Sequence, residues 1–200
     1  MRRMARKNKN APKKGQKIKV EPIREIEDIH LIKRMLREKP RDLALFTIGI
    51  NTNLRASDLL KLKVYQVMDV APGGSIEIKE KKTGKIKTVI LNRACVDAIQ
   101  NLLSKLKYHP DDFLFKSKKG PVLLVPTVHN LVKGWCKAIG LTGNYGSHTL
   151  RKTWGYHQRV TFKVDIPTLM VCLNHGSQKQ TLDYLCIQPE EIKDVYQNEL

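Results

Sequence analysis

Four short stretches of this 200-residue chain hold side chains that could act together on an anionic centre. Arg55, in NTNLRASDLLKLK, immediately precedes an apolar helical stretch. An arginine at a helix start points guanidinium donors out of the scaffold, beside backbone amides that also favour anions. A surface salt bridge to Asp58 or another acid is the structural alternative. Lys82 stands in the tight turn of EKKTGKIK, where an ammonium can reach a phosphate or a leaving oxygen. Lys81 and Lys85 compete for that role. His148 and Arg151, in HTLRKT, are three apart at the opening of a helix, so imidazole and guanidinium can converge on one oxyanion. The alternative is a cap-region histidine and an arginine bridging an acid. Last comes LNHGSQKQTLDYLCI, with the loop imidazole of His175 and, on a short helix after it, the phenol of Tyr184. Most tyrosines so placed are packing residues, and the chain has six, so composition does not choose among them.

The elements that must position these groups follow from periodicity. Residues 24–37 put Ile26, Ile29, Leu31, Ile32, Met35 and Leu36 on one broad helical face. Pro40 restarts the chain, and DLALFTIGIN predicts a mostly buried second helix. ASDLLKLK predicts a short third, with Ser57 and Asp58 suited to its start. Ala71-Pro72-Gly73-Gly74 introduces a hairpin whose strands, SIEIKEK and KIKTVILN, join through Lys82-Thr83-Gly84. Residues 92–107 predict an amphipathic helix, DFLF and PVLLV two extended pieces, and Thr127–Ala138 another helix. The remainder predicts helices at 148–160, 166–173, 178–186 and 189–198. The sum is an α+β fold, mainly helical with one small antiparallel sheet, and no internal repeat.

Composition narrows the partner. The chain is 41% hydrophobic, enough for a core, and carries a net charge of +18. Such an excess points to nucleic acid; a membrane surface would call for a basic amphipathic helix or an apolar anchor. No apolar run is long enough to span a bilayer, and Met1-Arg2-Arg3 is not followed by a signal-peptide core. Residues 1–20 read as a flexible basic arm, with nine Lys/Arg and no acid in the first nineteen, and residues 21–200 as one domain. The arm suits sequence-neutral phosphate binding, or solubilises the chain. Cys95, Cys136, Cys172 and Cys186 form no C-x-x-C pair and read as buried apolar residues in a reducing cytosol.

Taken in order, the four stretches resemble the active-site signature of the tyrosine recombinases, or phage integrases, across residues 45–187. Arg55 is similar to the family's first arginine and Lys82 to its hairpin lysine. His148 and Arg151 resemble its His-x-x-Arg box, His175 its second histidine, and Tyr184 its nucleophile. The resemblance implies a DNA breaking-rejoining catalytic domain, a site-specific recombinase or integrase acting on double-stranded DNA. It also implies a homo-tetramer on DNA, a cytoplasmic, nucleoid-associated location, and no cofactor, metal or membrane. In the implied mechanism Arg55 and Arg151 stabilise the phosphoryl oxygens. His148 takes the proton of Tyr184, Lys82 protonates the departing 5′ oxygen, and His175 hydrogen-bonds the phosphate, leaving a 3′-phosphotyrosyl intermediate.

Two positions depart from the family pattern: Asn174 stands where glycine is usual before His175, and Lys152 where a second histidine is frequent. Family members generally carry a separate helical core-binding domain, whereas this chain offers the basic arm and so resembles the single-domain fimbrial-switch inversion enzymes or a truncated integrase. The C-terminal IQPEEIKDVYQNEL resembles a segment that docks in cis or onto a neighbouring protomer. Three other readings are a catalytically silent DNA-binding protein of the same fold, a type IB topoisomerase-like enzyme, and a metal nuclease using His148, His157 and His175.

Overall fold

Ile29, Ile32 and Leu36 recur at helical spacing, and in the computed structural model they close the inner face of α1 (Ile26–Met35). The structure describes residues 20–81, 84–185, 196, 197 and 199. The basic arm, the Lys82 expectation, Cys186 and the helix expected at 189–198 fall largely or wholly outside the described residues.

Pro40 opens α2 (Pro40–Asn51), where a missing N–H and a fixed φ cost nothing. Apolar or small residues follow almost without a break, so α2 is buried on nearly every side. It forms the axis of the domain, packed against α4 (Arg93–Lys105) and α6 (Ser147–Val160). Its crossing with α6 is close because Gly49 has no side chain: a Cβ there would lie 2.7 Å from Leu150 Cδ1. Asn92 caps α4 by accepting the Cys95 N–H at 3.0 Å, and donates its own amide to Asn51 Oδ1 at 2.8 Å. That pair ties the start of α4 to the end of α2, beside the short α3 (Ala56–Leu59).

The sheet has two antiparallel strands, β1 (Ser75–Lys79) and β2 (Ile86–Ile90). Its register pairs Ile76 with Val89 and Ile78 with Lys87. Ile76, Ile78 and Val89 are buried, so this is the face turned to the core. DFLF and PVLLV do not form strands. Phe113 makes one isolated bridge with Lys63, and the Leu123 N–H donates to Phe115 O at 2.9 Å. Both runs lend single apolar residues (Leu114, Phe115, Leu123) to the core without a partner long enough for a ladder.

α5 (Val125–Ala138) starts two residues earlier than its pattern predicts, with Pro126 in its first turn. It packs on α6. α7 (Ile166–Leu173) and α8 (Gln178–Leu185) follow. They bury Leu169, Leu173 and Leu185 in a second cluster, lined by Trp154, Val164, Ile166 and Tyr184, apart from the main core. The chain before α1 is pinned to α6. The Ile23 N–H donates to Thr153 Oγ1 at 2.9 Å, and His157 Nε2 meets Ile23 O at 3.1 Å. Cys95 and Cys136 are buried as expected, but Cys172 is exposed, because the outer side of the short α7 lacks a covering element among the described residues.

Candidate active site

Arg55 is the residue before the first turn of α3, in extended conformation, and its guanidinium leans towards the hairpin. Its ion-pair partner is Glu80, with Nη1 and Oε1 2.5 Å apart. Asp58, the acid nearest in sequence, is fully buried and instead accepts the Lys81 N–H through Oδ1 at 2.8 Å. It therefore staples α3 to the foot of the hairpin turn rather than capping its own helix. Two backbone bonds of Glu80 close that turn: its N–H donates to Lys85 O at 2.9 Å, and its carbonyl accepts the Gly84 N–H at 2.9 Å. Lys81 and Lys85 are exposed on either side. Lys82 lies outside the described residues, so the choice among the three lysines stays with the resemblance.

α6 brings the second arginine. Arg151 is only 4% exposed, and its Nη2 donates to Leu173 O at 2.9 Å. Its Nη1 is buried with no hydrogen-bond partner among the described residues. Burial pulls its pKa down, and the Arg55 charge adds to that pull, while Tyr184, Glu80 and Asp58 oppose it. The two guanidiniums and the phenol thus share one electrostatic neighbourhood. His148, one turn earlier, is exposed at its rim. Desolvation first, then the charges of Arg151, Lys152, Arg55 and His129, hold its imidazole below the ordinary histidine range.

The remaining two groups sit on the α7–α8 turn. Asn174 ends α7 in the left-handed region at φ 54°, ψ 49°. Asparagine is the residue other than glycine that most readily takes this conformation, so the turn survives the departure from the family's glycine. His175 follows, its N–H donating to Met170 O at 3.0 Å and its Nδ1 bonded to Thr181 Oγ1 at 3.1 Å. Its ring meets Tyr184 edge to face, 5.3 Å between centroids. Lys152 Nζ stands 5.3 Å from the centre of the same phenol ring. α8 lies close on α6 because Gly155 is bare: a Cβ there would be 2.7 Å from Leu185 Cδ2.

Arg55, His148, Arg151, His175 and Tyr184 are therefore gathered from α3, α6 and the α7–α8 unit into one site. His157 is not part of it; it is bonded to Ile23 and Thr161 at the other end of α6. Three charged residues that the sequence reading did not assign join the site. Lys152 is one. Glu80 and Lys87 are the others, and the strand phase could have found them. Glu80 continues the inward positions of Ile76 and Ile78, and Lys87 is in phase with Val89. A charge in the buried phase of a strand demands a partner.

The profile of the phage integrase family matches residues 23–191. The probable integrase/recombinase YoeC of Bacillus subtilis (strain 168) is 34% identical over 180 residues, which cover 88% of this chain and 95% of that protein. The tyrosine recombinase XerC of Caldanaerobacter subterraneus subsp. tengcongensis is 31% identical over 169 residues, 78% of this chain but only 44% of that protein. The crystal structure of XerA recombinase superposes with a TM-score of 0.73 at 20% identity, over 90% of this chain and 67% of that one. A lambda integrase dimer bound to a COC′ core site gives 0.65 at 17% identity, over 85% of this chain and 49% of that one.

Proposed function

Because the chain belongs to the phage integrase family, as a tyrosine recombinase catalytic domain, we propose that it breaks and rejoins double-stranded DNA at specific sites with Tyr184 as nucleophile. The observation that carries the reading is Arg151: a buried guanidinium with one nitrogen unpartnered among the described residues, within the electrostatic reach of Arg55 and of the Tyr184 phenol. A buried donor without an acceptor is costly, and a phosphoryl oxygen satisfies it.

The phenolic oxygen attacks phosphorus as His148, kept neutral by its surroundings, takes the phenol proton. Arg55 and Arg151 hold the non-bridging oxygens while charge builds on them. The bond from phosphorus to the 5′ oxygen breaks, that oxygen takes a proton from Lys82, and His175 hydrogen-bonds the phosphate. The 3′-phosphotyrosyl ester conserves the energy of the broken bond, so a 5′ hydroxyl from a second duplex reverses the step. Lambda integrase is described bound to a COC′ core site and the Tn1549 transposon integrase in complex with circular intermediate DNA, which supports DNA as the partner. The active assembly is a homo-tetramer on DNA in the cytoplasm, at the nucleoid. The Glu21 N–H donates to the carbonyl of Asn144, four residues before His148. The basic residues earlier in the sequence grip DNA phosphates.

The test is a nicked suicide duplex incubated with the protein in EDTA. A covalent adduct that vanishes in Tyr184→Phe is the expected result. An EDTA-sensitive cut without an adduct would identify a metal nuclease, and binding without an adduct a silent binder. An adduct with relaxation but no junction formation would identify a topoisomerase.

A further inference from the structure

The last carbonyls of a helix have no partner within it, and they form the negative end of its dipole. At the carboxyl end of α7 they are bonded to side chains from β2, from α6 and from the loop between α2 and α3. Cys172 O accepts from Asn53 Nδ2 at 2.7 Å and from Lys87 Nζ at 3.2 Å. Leu173 O accepts from Arg151 Nη2 at 2.9 Å. Lys87 Nζ also reaches Asn53 O, at 3.4 Å. Asn53 itself is held left-handed at φ 54°, two residues before Arg55.

We propose that Lys87 and Asn53 are positioning residues: they clamp the carboxyl end of α7 to the loop carrying Arg55, and so set His175 and Tyr184 over the two arginines. This rests on Tyr184 being the nucleophile. Directly after the clamped carbonyls the chain turns through Asn174 into His175, and α8 hangs from that turn. Among the described residues the α7–α8 unit has only Leu169, Leu173 and Leu185 as its own buried cluster. Apolar packing therefore leaves its register on the domain weakly fixed, and directional bonds at its end supply the rest. The lysine occupies this place at some cost. It stands opposite Ile78 on the inner face of the hairpin, where burial and then the Arg151 and Arg55 charges lower its pKa to about 8, against the opposing pull of Glu80 and Cys172. A cation kept on the apolar face of a strand, against its own repulsion from two arginines, is not there for stability.

The experiment uses the whole chain and the nicked suicide duplex, with three variants: Lys87→Met, Lys87→Arg and Asn53→Gly. Glycine keeps the left-handed backbone and removes only the amide. Single-turnover adduct formation, thermal midpoint and amide hydrogen exchange are measured together. Lys87→Met should slow adduct formation by about 100-fold, the scale of a nucleophile displaced by an ångström. It should speed exchange at residues 170–175 and leave the exchange of α2 and α4 and the thermal midpoint no worse. Lys87→Arg should recover most of the rate, and Asn53→Gly should show both signs more weakly. A wild-type rate in Lys87→Met overturns the proposal. So does a lost rate with unchanged exchange at α7, which would make Lys87 a participant at the reacting atoms. Exchange rising equally in α2 and α4 in both the methionine and glycine variants overturns it too, leaving a fold-supporting role alone. If the unaltered protein forms no adduct, the nucleophile reading fails, while exchange at α7 still decides the clamp.

Discussion

Replacing Arg151 by alanine removes the donor proposed to face developing phosphoryl charge and the hydrogen bond it gives the Leu173 carbonyl. Arg55→Ala removes the other donor and breaks the ion pair with the buried Glu80. Each should slow single-turnover cleavage by roughly 10²–10³-fold, as loss of an oxyanion donor does. A variant cleaving at the normal rate would remove that residue from the mechanism. His148 gives a pH signature with a definite sign. Its pKa lies below the ordinary histidine value, so at neutral pH the imidazole is deprotonated and able to accept the phenol proton. Cleavage should therefore hold as pH falls through the ordinary histidine range, then decline as His148 protonates. The acid limb should be absent from the residual activity of His148→Gln. At this scale the placement of these groups was legible where it is local: His148 and Arg151 share a helix turn, and His175 lies in the α7–α8 turn that leads into the helix carrying Tyr184. It was illegible where partners meet through space. Asp58 is the acid nearest Arg55 along the chain, yet Glu80, across the hairpin, pairs with it.

Two helix crossings do the positioning, and each depends on a missing side chain. α2 meets α6 at Gly49 against Leu150, the residue before Arg151, and α6 meets α8 at Gly155 against Leu185, the residue after Tyr184. Gly155→Val should push α8 outward and lower adduct formation at least tenfold, since small displacements of a nucleophile are costly. The thermal midpoint should move little, because the main core lies elsewhere. A large fall in midpoint with normal cleavage by the folded fraction would show that α8 is not held by this contact. The helices were readable because 3.6-residue periodicity carries over long windows. For DFLF and PVLLV the pattern reached no further than extended pieces, because a short apolar run looks the same in a strand and in a loop that lends residues to the core, and nothing in the run itself says whether a partner strand exists.

The whole molecule is a strongly basic body whose charge is unevenly placed: nine of its Lys/Arg residues precede residue 20. If those residues bind phosphates, deleting residues 1–19 should lower DNA affinity and flatten its dependence on salt, by about 0.9 in log–log slope for each phosphate no longer neutralised. An unchanged slope would leave the arm as a solubilising tail. Composition was enough to suggest nucleic acid, but it could not show that the apolar interior is divided. The proposed nucleophile rides on the lesser part, which among the described residues holds three buried leucines against the much larger main cluster. Warming should thus loosen the phenol from its place before the rest melts. The failure that follows is a mild one, since a protein that has lost its blade but kept its hold sits on an intact duplex instead of leaving a severed one.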